Sequence, residues 1–174
     1  MHTFLIRWGM IHLPKDKSVK TNAMRILDRS KVDYKVNYYN CEEFIDGIHI
    51  ADMLSQPYEK SFKTLVMCGK TGEHYVFVLP IDKEVDLKKA AKSVKEKSVE
   101  MIHVKDIKTI TGYIRGGCTP IGMKKQFKTV IHKSALEFDE IIISGGMIGA
   151  QIFISPDALI KVTGAFTEDI VLNN

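Results

Sequence analysis

The chain is poor in the residues that staple, anchor or target a protein. Its 174 residues include three cysteines, Cys41, Cys68 and Cys118, an odd number with 26 and 49 residues between neighbours. That spacing fits neither a disulfide framework nor a zinc knuckle, and it points to a reducing cytoplasm. The six histidines stand at 2, 12, 49, 74, 103 and 132, none at metal-ligand spacing, so no metal and no cofactor is expected. A run of about 18 apolar residues, which a membrane helix requires, is missing. Residues 1–13 are apolar but broken by Arg7. They lack a charged start and a small-residue cleavage site, so they do not read as a signal peptide. Repeats, low-complexity tracts and linkers are absent as well.

What is present describes an ordinary globular domain. The chain is 45% hydrophobic and 26% charged, and its length suits one domain with a core that needs no cross-links. The formal net charge is only +4, but it is unevenly placed. Residues 83–133 carry 13 basic and 5 acidic groups, whereas residues 134–174 carry 1 and 6. A mild total therefore hides a basic middle.

Periodicity predicts a helix over residues 20–30, with Thr21 as cap and Ala23, Met24, Ile26 and Leu27 on one face. A strand follows at 34–39, then a short helix at 47–54. Residues 62–68 and 74–79 flank the turn Gly69-Lys70-Thr71-Gly72 and form a hairpin. Asp86 caps a helix reaching about Lys95, with Leu87, Ala90, Ala91 and Val94 inward and Lys88, Lys92 and Lys95 outward. Residues 111–122 hold four glycines and a proline and must be a shaped loop. Strands at 127–132, 140–144 and 151–154 lead to Ser155-Pro156-Asp157, a helix start. This order predicts a single α+β domain with a mixed, largely antiparallel curved sheet flanked by helices.

The chemistry-bearing patterns are sparse. Gly69-Lys70-Thr71 imitates the tail of a phosphate-binding loop, but Thr64 stands where that pattern needs glycine, and a strand follows. Ser144 has no nucleophile elbow around it and reads as a strand-end hydroxyl bonding a turn. Cys118 reads as a small loop filler. Three features remain. Lys63 is embedded in an apolar run, where it either meets an anion or snorkels from a sheet edge. The glycine-rich loop either presents N–H groups to an anion or is only a turn cluster. The Lys88, Lys92 and Lys95 face is a solvated surface or, with Lys97, Lys124, Lys125 and Lys128, a polyanion-binding one.

Several of these segments, in order, resemble the YbaK/EbsC family of aminoacyl-tRNA deacylases. They are Lys20-Thr21-Asn22-Ala23, Tyr39, Phe62-Lys63-Thr64-Leu65-Val66, Asp86-Leu87-Lys88-Lys89, Thr111-Gly112-Tyr113-Ile114, Gly116-Gly117, Thr119-Pro120-Ile121-Gly122 and Ser144-Gly145-Gly146 with Gly149. The resemblance runs from residue 20 to near the C-terminus. It leaves residues 1–19 as an extension of unassigned role and residues 20–174 as the editing domain. It implies a freestanding editing enzyme of the kind also inserted in bacterial prolyl-tRNA synthetases. Cysteinyl-tRNA(Pro) would be its favoured substrate, and prolyl-tRNA synthetase a partner.

By the same resemblance, Lys63 meets the terminal phosphate and ribose of tRNA, and Gly116 forms the floor of a small pocket. Tyr39, Thr64, Tyr113 and Ser144 stand at other pocket positions. Gln151 occupies a position where some members carry aspartate, and Asp46 corresponds to a family phenylalanine. The family mechanism uses the thiol of the substrate itself as nucleophile, which suits a chain with no evident nucleophile of its own. Backbone N–H groups at Gly116 and Gly117 are the expected oxyanion donors, and Lys88, Lys92, Lys95, Lys124 and Lys125 the expected tRNA contacts. The alternatives are water-dependent deacylation of alanyl-, seryl- or threonyl-tRNA, and a non-catalytic tRNA-binding module.

Overall fold

The computed structural model describes residues 19–173; all but the last position of the expected extension at 1–19 lies outside them. Helix α1 (Asn22–Ser30) begins where Thr21 Oγ1 accepts the Met24 N–H at 3.3 Å, as its sequence predicts. It ends at Lys31, which takes the left-handed conformation with φ 54°. Strand β1 (Tyr34–Tyr38) follows, then α2 (Gly47–Met53), capped by Asp46. Strands β2 (Phe62–Gly69) and β3 (His74–Pro80) make the expected hairpin. Helix α3 (Leu87–Ser93) leads to β4 (Val99–Met101) and α4 (Ile107–Thr111). Past the glycine-rich loop come β5 (Lys128–His132), β6 (Ile141–Ser144) and β7 (Ala150–Ile154). Helix α5 (Pro156–Thr163) and β8 (Phe166–Glu168) complete the order.

The strands form two sheets. One is antiparallel, in the order β1-β7-β6; the other is mixed, in the order β4-β2-β3-β5-β8, with β5 and β8 joining in parallel. A parallel bridge between Ser61 and Ile142 ties them together. The pleat of β3 divides the core, because alternate side chains point to opposite faces. Val76 and Val78 pack with Met24 and Leu27 of α1, the β6–β7 isoleucines and Leu159 of α5. Phe77 and Leu79 face the other way, onto Ala90, Ala91 and Val94 beside α3. The α+β reading holds, and the curved sheet resolves into these two linked sheets.

Some local expectations change. Leu87, expected inward, is 48% exposed, because the Asp86 cap places it in the first turn on the solvent side. The same helix stops at Ser93, and Lys95 adopts φ 61°. Strands β4 and β8 have three residues each and weak alternation, so only pairing with β2 and β5 defines them. The Gly69-Lys70-Thr71 turn is no phosphate site. Glu96 folds over it, accepting the Thr71 N–H at 3.3 Å and the Tyr75 hydroxyl at 2.8 Å, so a carboxylate stands where a phosphate would need to be. Among the described residues no helix is long and apolar enough to cross a membrane.

The C-terminal segment is clamped by one lysine. Lys89 Nζ donates to Asp169 Oδ2 at 2.9 Å, to the Val171 carbonyl at 2.8 Å and to Asn173 Oδ1 at 2.8 Å. Asp169 also lies 3.4 Å from Nε2 of His132, whose Nδ1 is 2.8 Å from Ser134 Oγ. This grouping imitates a catalytic triad but works as a strut. The Ser134 N–H donates to the same Nδ1 at 3.3 Å, which keeps the ring proton on Nε2, and the group lines neither cavity described below. Burial pushes His132 below its ordinary value, and Lys89 holds the Asp169 carboxyl below its own. Both shifts mean that the unfolded chain binds more protons than the native one. The stability they confer is complete above pH 6.5 and is lost as pH falls, first through the histidine and then below 3.8 through the aspartate. Lys89→Met should cost about 1–2 kcal/mol and lower Tm by roughly 3–6 °C at pH 7. Thermal unfolding followed between pH 7 and 3 should show a smaller acid loss for His132→Gln than for the parent.

Candidate active site

The site forms because a strand runs out of partners. Strand β4 pairs only with Met67–Gly69 of β2, which leaves the first half of that edge open. The Ser61 carbonyl accepts the Ile81 N–H at 2.9 Å on the β3 side, and the Val66 carbonyl accepts the Ile102 N–H at 3.2 Å on the other. Backbone groups alternate sides along an antiparallel strand, so the Thr64 N–H and C=O face the open edge. A cavity of about 370 Å³ lies there, walled by β2, the β6–β7 sheet, α2 and the glycine-rich loop.

Four of the predicted residues stand on its strand walls. Lys63 is half-buried and donates from Nζ to the Ile81 carbonyl at 3.3 Å. Burial pushes its pKa below the ordinary lysine value of 10.5, against weaker pulls from Glu84 and Asp82. Among the described residues no carboxylate comes within ion-pair distance of it. Thr64 Oγ1 is buried with no hydrogen-bond partner among them. Ser144 lines the cavity, and its Oγ accepts the Gly146 N–H at 3.4 Å, so the turn-bonding role and a place in the site coincide. Gln151 sits opposite Ser144 in the β6–β7 register and opposite Asn37 in β1.

Gln56, which nothing in the sequence singled out, completes this polar end. Gln56 Nε2 donates to Gln151 Oε1 at 2.8 Å, and Gln151 Nε2 donates back to Gln56 Oε1 at 2.9 Å. Asn37 Nδ2 adds a contact at 3.3 Å. Gln151 is only 8% exposed, so this amide pair removes the cost of burying it. Tyr39 also lines the cavity, held by its N–H to the Gly149 carbonyl at 2.9 Å; burial raises its phenol pKa.

The loop rearranges the remaining expectations. Gly116 lines the cavity with φ +86°, but a Cβ there would meet Phe44 Cδ2 at 3.0 Å and Ile148 Cγ1 at 3.3 Å. It is packed between side chains, and its lack of a Cβ lets Phe44 approach. Tyr113 is not in the lining: it is buried, and its hydroxyl donates to the Ile121 carbonyl at 2.6 Å, with its pKa pushed up to about 12 by burial. It holds the loop. Gly117 also lies outside the lining. Its N–H donates to the Ile114 carbonyl at 3.0 Å, and a Cβ would sit 2.9 Å from Met147 Cα, so it is no oxyanion donor here.

Phe44, two residues before Asp46, supplies an aromatic side chain to the lining. Asp46 lines the cavity too, but its carboxylate caps α2, accepting the His49 N–H at 3.1 Å and lying 2.6 Å from His49 Nδ1. Cys118 lines the cavity as well, and burial pushes its thiol up to about 11, leaving it protonated at neutral pH.

None of Lys88, Lys92, Lys95, Lys124 and Lys125 lines the cavity; all five are exposed. They fall into two groups. Helix α3 covers the Phe77 and Leu79 face of the mixed sheet. Lys124 and Lys125 extend from the loop, whose Ile121 and Phe127 pack on the opposite face. A second, more open depression of about 620 Å³, lined by residues such as Lys31, Tyr34, Glu140 and Lys161, contains none of the predicted site residues.

Residues 48–162 match the family model described as an aminoacyl-tRNA editing domain. EbsC of Enterococcus faecalis, provisionally named a Cys-tRNA(Pro)/Cys-tRNA(Cys) deacylase, is 44% identical over 156 residues, spanning 88% of this chain and 95% of that protein. A solved structure provisionally described as a trans-editing enzyme for prolyl tRNA synthetase superposes with a TM-score of 0.76 at 22% identity, covering 90% of this chain and 100% of that one. A hypothetical protein of solved structure gives 0.79 at 20% identity, covering 87% and 99%. At those identities the two structures establish the shared fold.

Two substitutions test the cavity walls. Gly116→Ala should cost about 1–2 kcal/mol from its left-handed backbone and displace Phe44. Gln56→Leu should cost about 1–3 kcal/mol by stranding the Gln151 amide. Chemical denaturation of both variants measures these losses, and a loss below about 0.5 kcal/mol for either, the size of a neutral surface change, would contradict the packing described.

Proposed function

Because the chain belongs to the aminoacyl-tRNA editing domain family, we propose that it is a trans-acting deacylase of mischarged tRNA, with cysteinyl-tRNA(Pro) as the favoured substrate. The observation that carries this reading is the half-buried Lys63 beside the unpartnered Thr64 hydroxyl on an open strand edge. A buried ammonium without a carboxylate is costly, and the terminal phosphate and ribose of tRNA would relieve that cost. The reaction takes place in the cytoplasm, where charged tRNA is made.

The lining supports a nucleophile brought by the substrate. It contains no histidine, its Cys118 thiol is protonated, and its one carboxylate, Asp46, is engaged by His49. Ser144 therefore has neither a histidine nor a free carboxylate in the lining to activate it. In the proposed step the cysteinyl sulfur, as thiolate, attacks its own carbonyl carbon. The ester bond to the ribose oxygen breaks, that oxygen takes up a proton, and cysteine leaves as a cyclic thiolactone that water opens.

Holding the sulfur against the carbonyl can supply about 7–11 kcal/mol, and one aimed oxyanion donor roughly 3–4 kcal/mol. The Gly116 N–H, the Thr64 N–H on the open edge and the Ser144 hydroxyl are the donors nearest to hand. Lys63, Gly116 and Ser144 thus form the reacting end. Tyr39, Thr64 and Gln151 orient the aminoacyl group, and Tyr113 and Gly117 hold the loop that carries Gly116. Lys124 and Lys125, on that same loop, receive the acceptor stem; Lys88, Lys92 and Lys95 extend the basic surface on the other face. Prolyl-tRNA synthetase, as a partner, would add tRNA selectivity.

Release of labelled cysteine from cysteinyl-tRNA(Pro) tests this. Lys63→Ala should lower kcat/KM by about 10–100-fold, the loss of one charge-assisted contact, and Lys63→Arg should restore part of it. In the wild type KM should rise as pH passes the lowered pKa of Lys63, below 10.5, and Lys63→Arg should lack that limb. Equal rates for wild type and Lys63→Ala would remove Lys63 from the site; silence on every charged tRNA would overturn the function. Seryl-tRNA matches cysteinyl-tRNA in size but lacks the thiol. Comparable rates on the two would replace substrate assistance with attack by water.

A further inference from the structure

The mouth of the cavity carries a second cation that the proposed reaction does not use. Arg115 lines the opening with its guanidinium carbon 4.0 Å from the centroid of the Phe44 ring. At that distance the cation lies over the aromatic face, which restricts where the guanidinium can sit and leaves N–H groups free to point outward. Among the described residues Arg115 has neither an ion-pair partner nor a hydrogen-bond acceptor, although it is exposed. Asp46, the one carboxylate in the lining, is engaged by His49. The rim around it is apolar and open to solvent: Phe44 is 43%, Met101 50% and Val104 56% exposed, and all three line the mouth. A guanidinium held over an aromatic ring, next to exposed apolar side chains, suits a single nucleic-acid strand, whose phosphates take a bidentate donor and whose unstacked bases take apolar contact.

We propose that Arg115, laid on Phe44, is a phosphodiester-binding group for the unpaired 3′ end of tRNA. It takes the phosphate next outward from the one at Lys63, while the Phe44, Met101 and Val104 rim receives the adjoining unpaired base. The assignment rests on the editing reading for the identity of the RNA, but it concerns binding rather than cleavage. Arg115 acts here as a positioning residue. The same contact makes Gly116 matter twice, since a side chain at that position would move Phe44 and with it the guanidinium.

The test measures binding of an uncharged RNA hairpin ending in an unpaired CCA strand, titrated with salt between 50 and 300 mM, beside deacylation by the same preparations. Arg115→Gln should weaken binding about tenfold at low salt and reduce the slope of log K against log salt by about 0.7, the value of one single-strand phosphate contact. Arg115→Lys should restore the slope but only part of the affinity. Phe44→Leu should keep the slope and lose affinity, because the charge remains and its orientation does not. Lys161→Gln, an exposed lysine away from the cavity, should change neither. An unchanged slope in Arg115→Gln, an equal change in Lys161→Gln, or no binding by the wild type would overturn the assignment. Wild-type binding without deacylation of any charged tRNA would refute the editing function and leave Arg115 in place. Deacylation with unaltered Arg115→Gln binding would refute Arg115 alone.

Discussion

The open edge of β2 is the constraint on which the site depends. A strand edge with unpaired backbone groups invites aggregation and is usually covered. Here β4 covers three residues, the Ser61–Ile142 bridge closes the far end, and the stretch between them borders a cavity. Lys63 and Thr64 stand in that gap. On a fully paired strand the Thr64 backbone would be bonded to a neighbour, and no cavity would open at that edge. The fold therefore leaves a half-buried lysine without a carboxylate beside a threonine hydroxyl without a partner, which is the condition for a ligand to contribute more than it displaces.

Around these two residues the structure uses groups that are neutral or already engaged. The Gln56–Gln151 pair satisfies itself, Ser144 bonds its own turn, Cys118 keeps its proton, and Asp46 caps a helix. The charges left for a ligand are Lys63 inside and Arg115 at the mouth. That distribution suits an anionic substrate carrying its own reactive ester, because positioning rather than a strong base is what such an ester needs. The glycine-rich loop serves the same purpose mechanically. Tyr113 is anchored on Ile121, Gly117 closes on Ile114, and Gly116 is held against Phe44.

Much of the secondary structure was legible because it is locally encoded. Thr21, Asp86 and Ser155 each accept an N–H from the first turn that follows, and side-chain chemistry alone announces such caps. The hairpin turn, the buried faces of α1 and the Ser155-Pro156 helix start belong to the same class. Strands β4 and β8 escaped because three residues carry almost no periodicity, and Leu87 because a cap shifts the phase of a short helix. Of the residues that the family resemblance singled out, Tyr39, Lys63, Thr64, Gly116, Ser144 and Gln151 line the cavity. Tyr113 and Gly117 carried the same signal for a different reason: their residue type is required by loop packing.

The sequence by itself determined the single α+β domain, the basic middle segment, the elements with strong caps or alternation, and the lack of a chain-borne nucleophile at any recognisable spacing. Each of these depends on neighbours in the chain or on composition. Only the tertiary structure decided that β4 stops short along β2, that Gln56 meets Gln151 across 95 residues, and that Arg115 lies on Phe44 from a different segment. It also separated the α3 lysines from those on the loop, by placing the two on opposite faces of one sheet. Those relations join residues far apart in sequence, where no local preference acts and only the shared core fixes which groups meet.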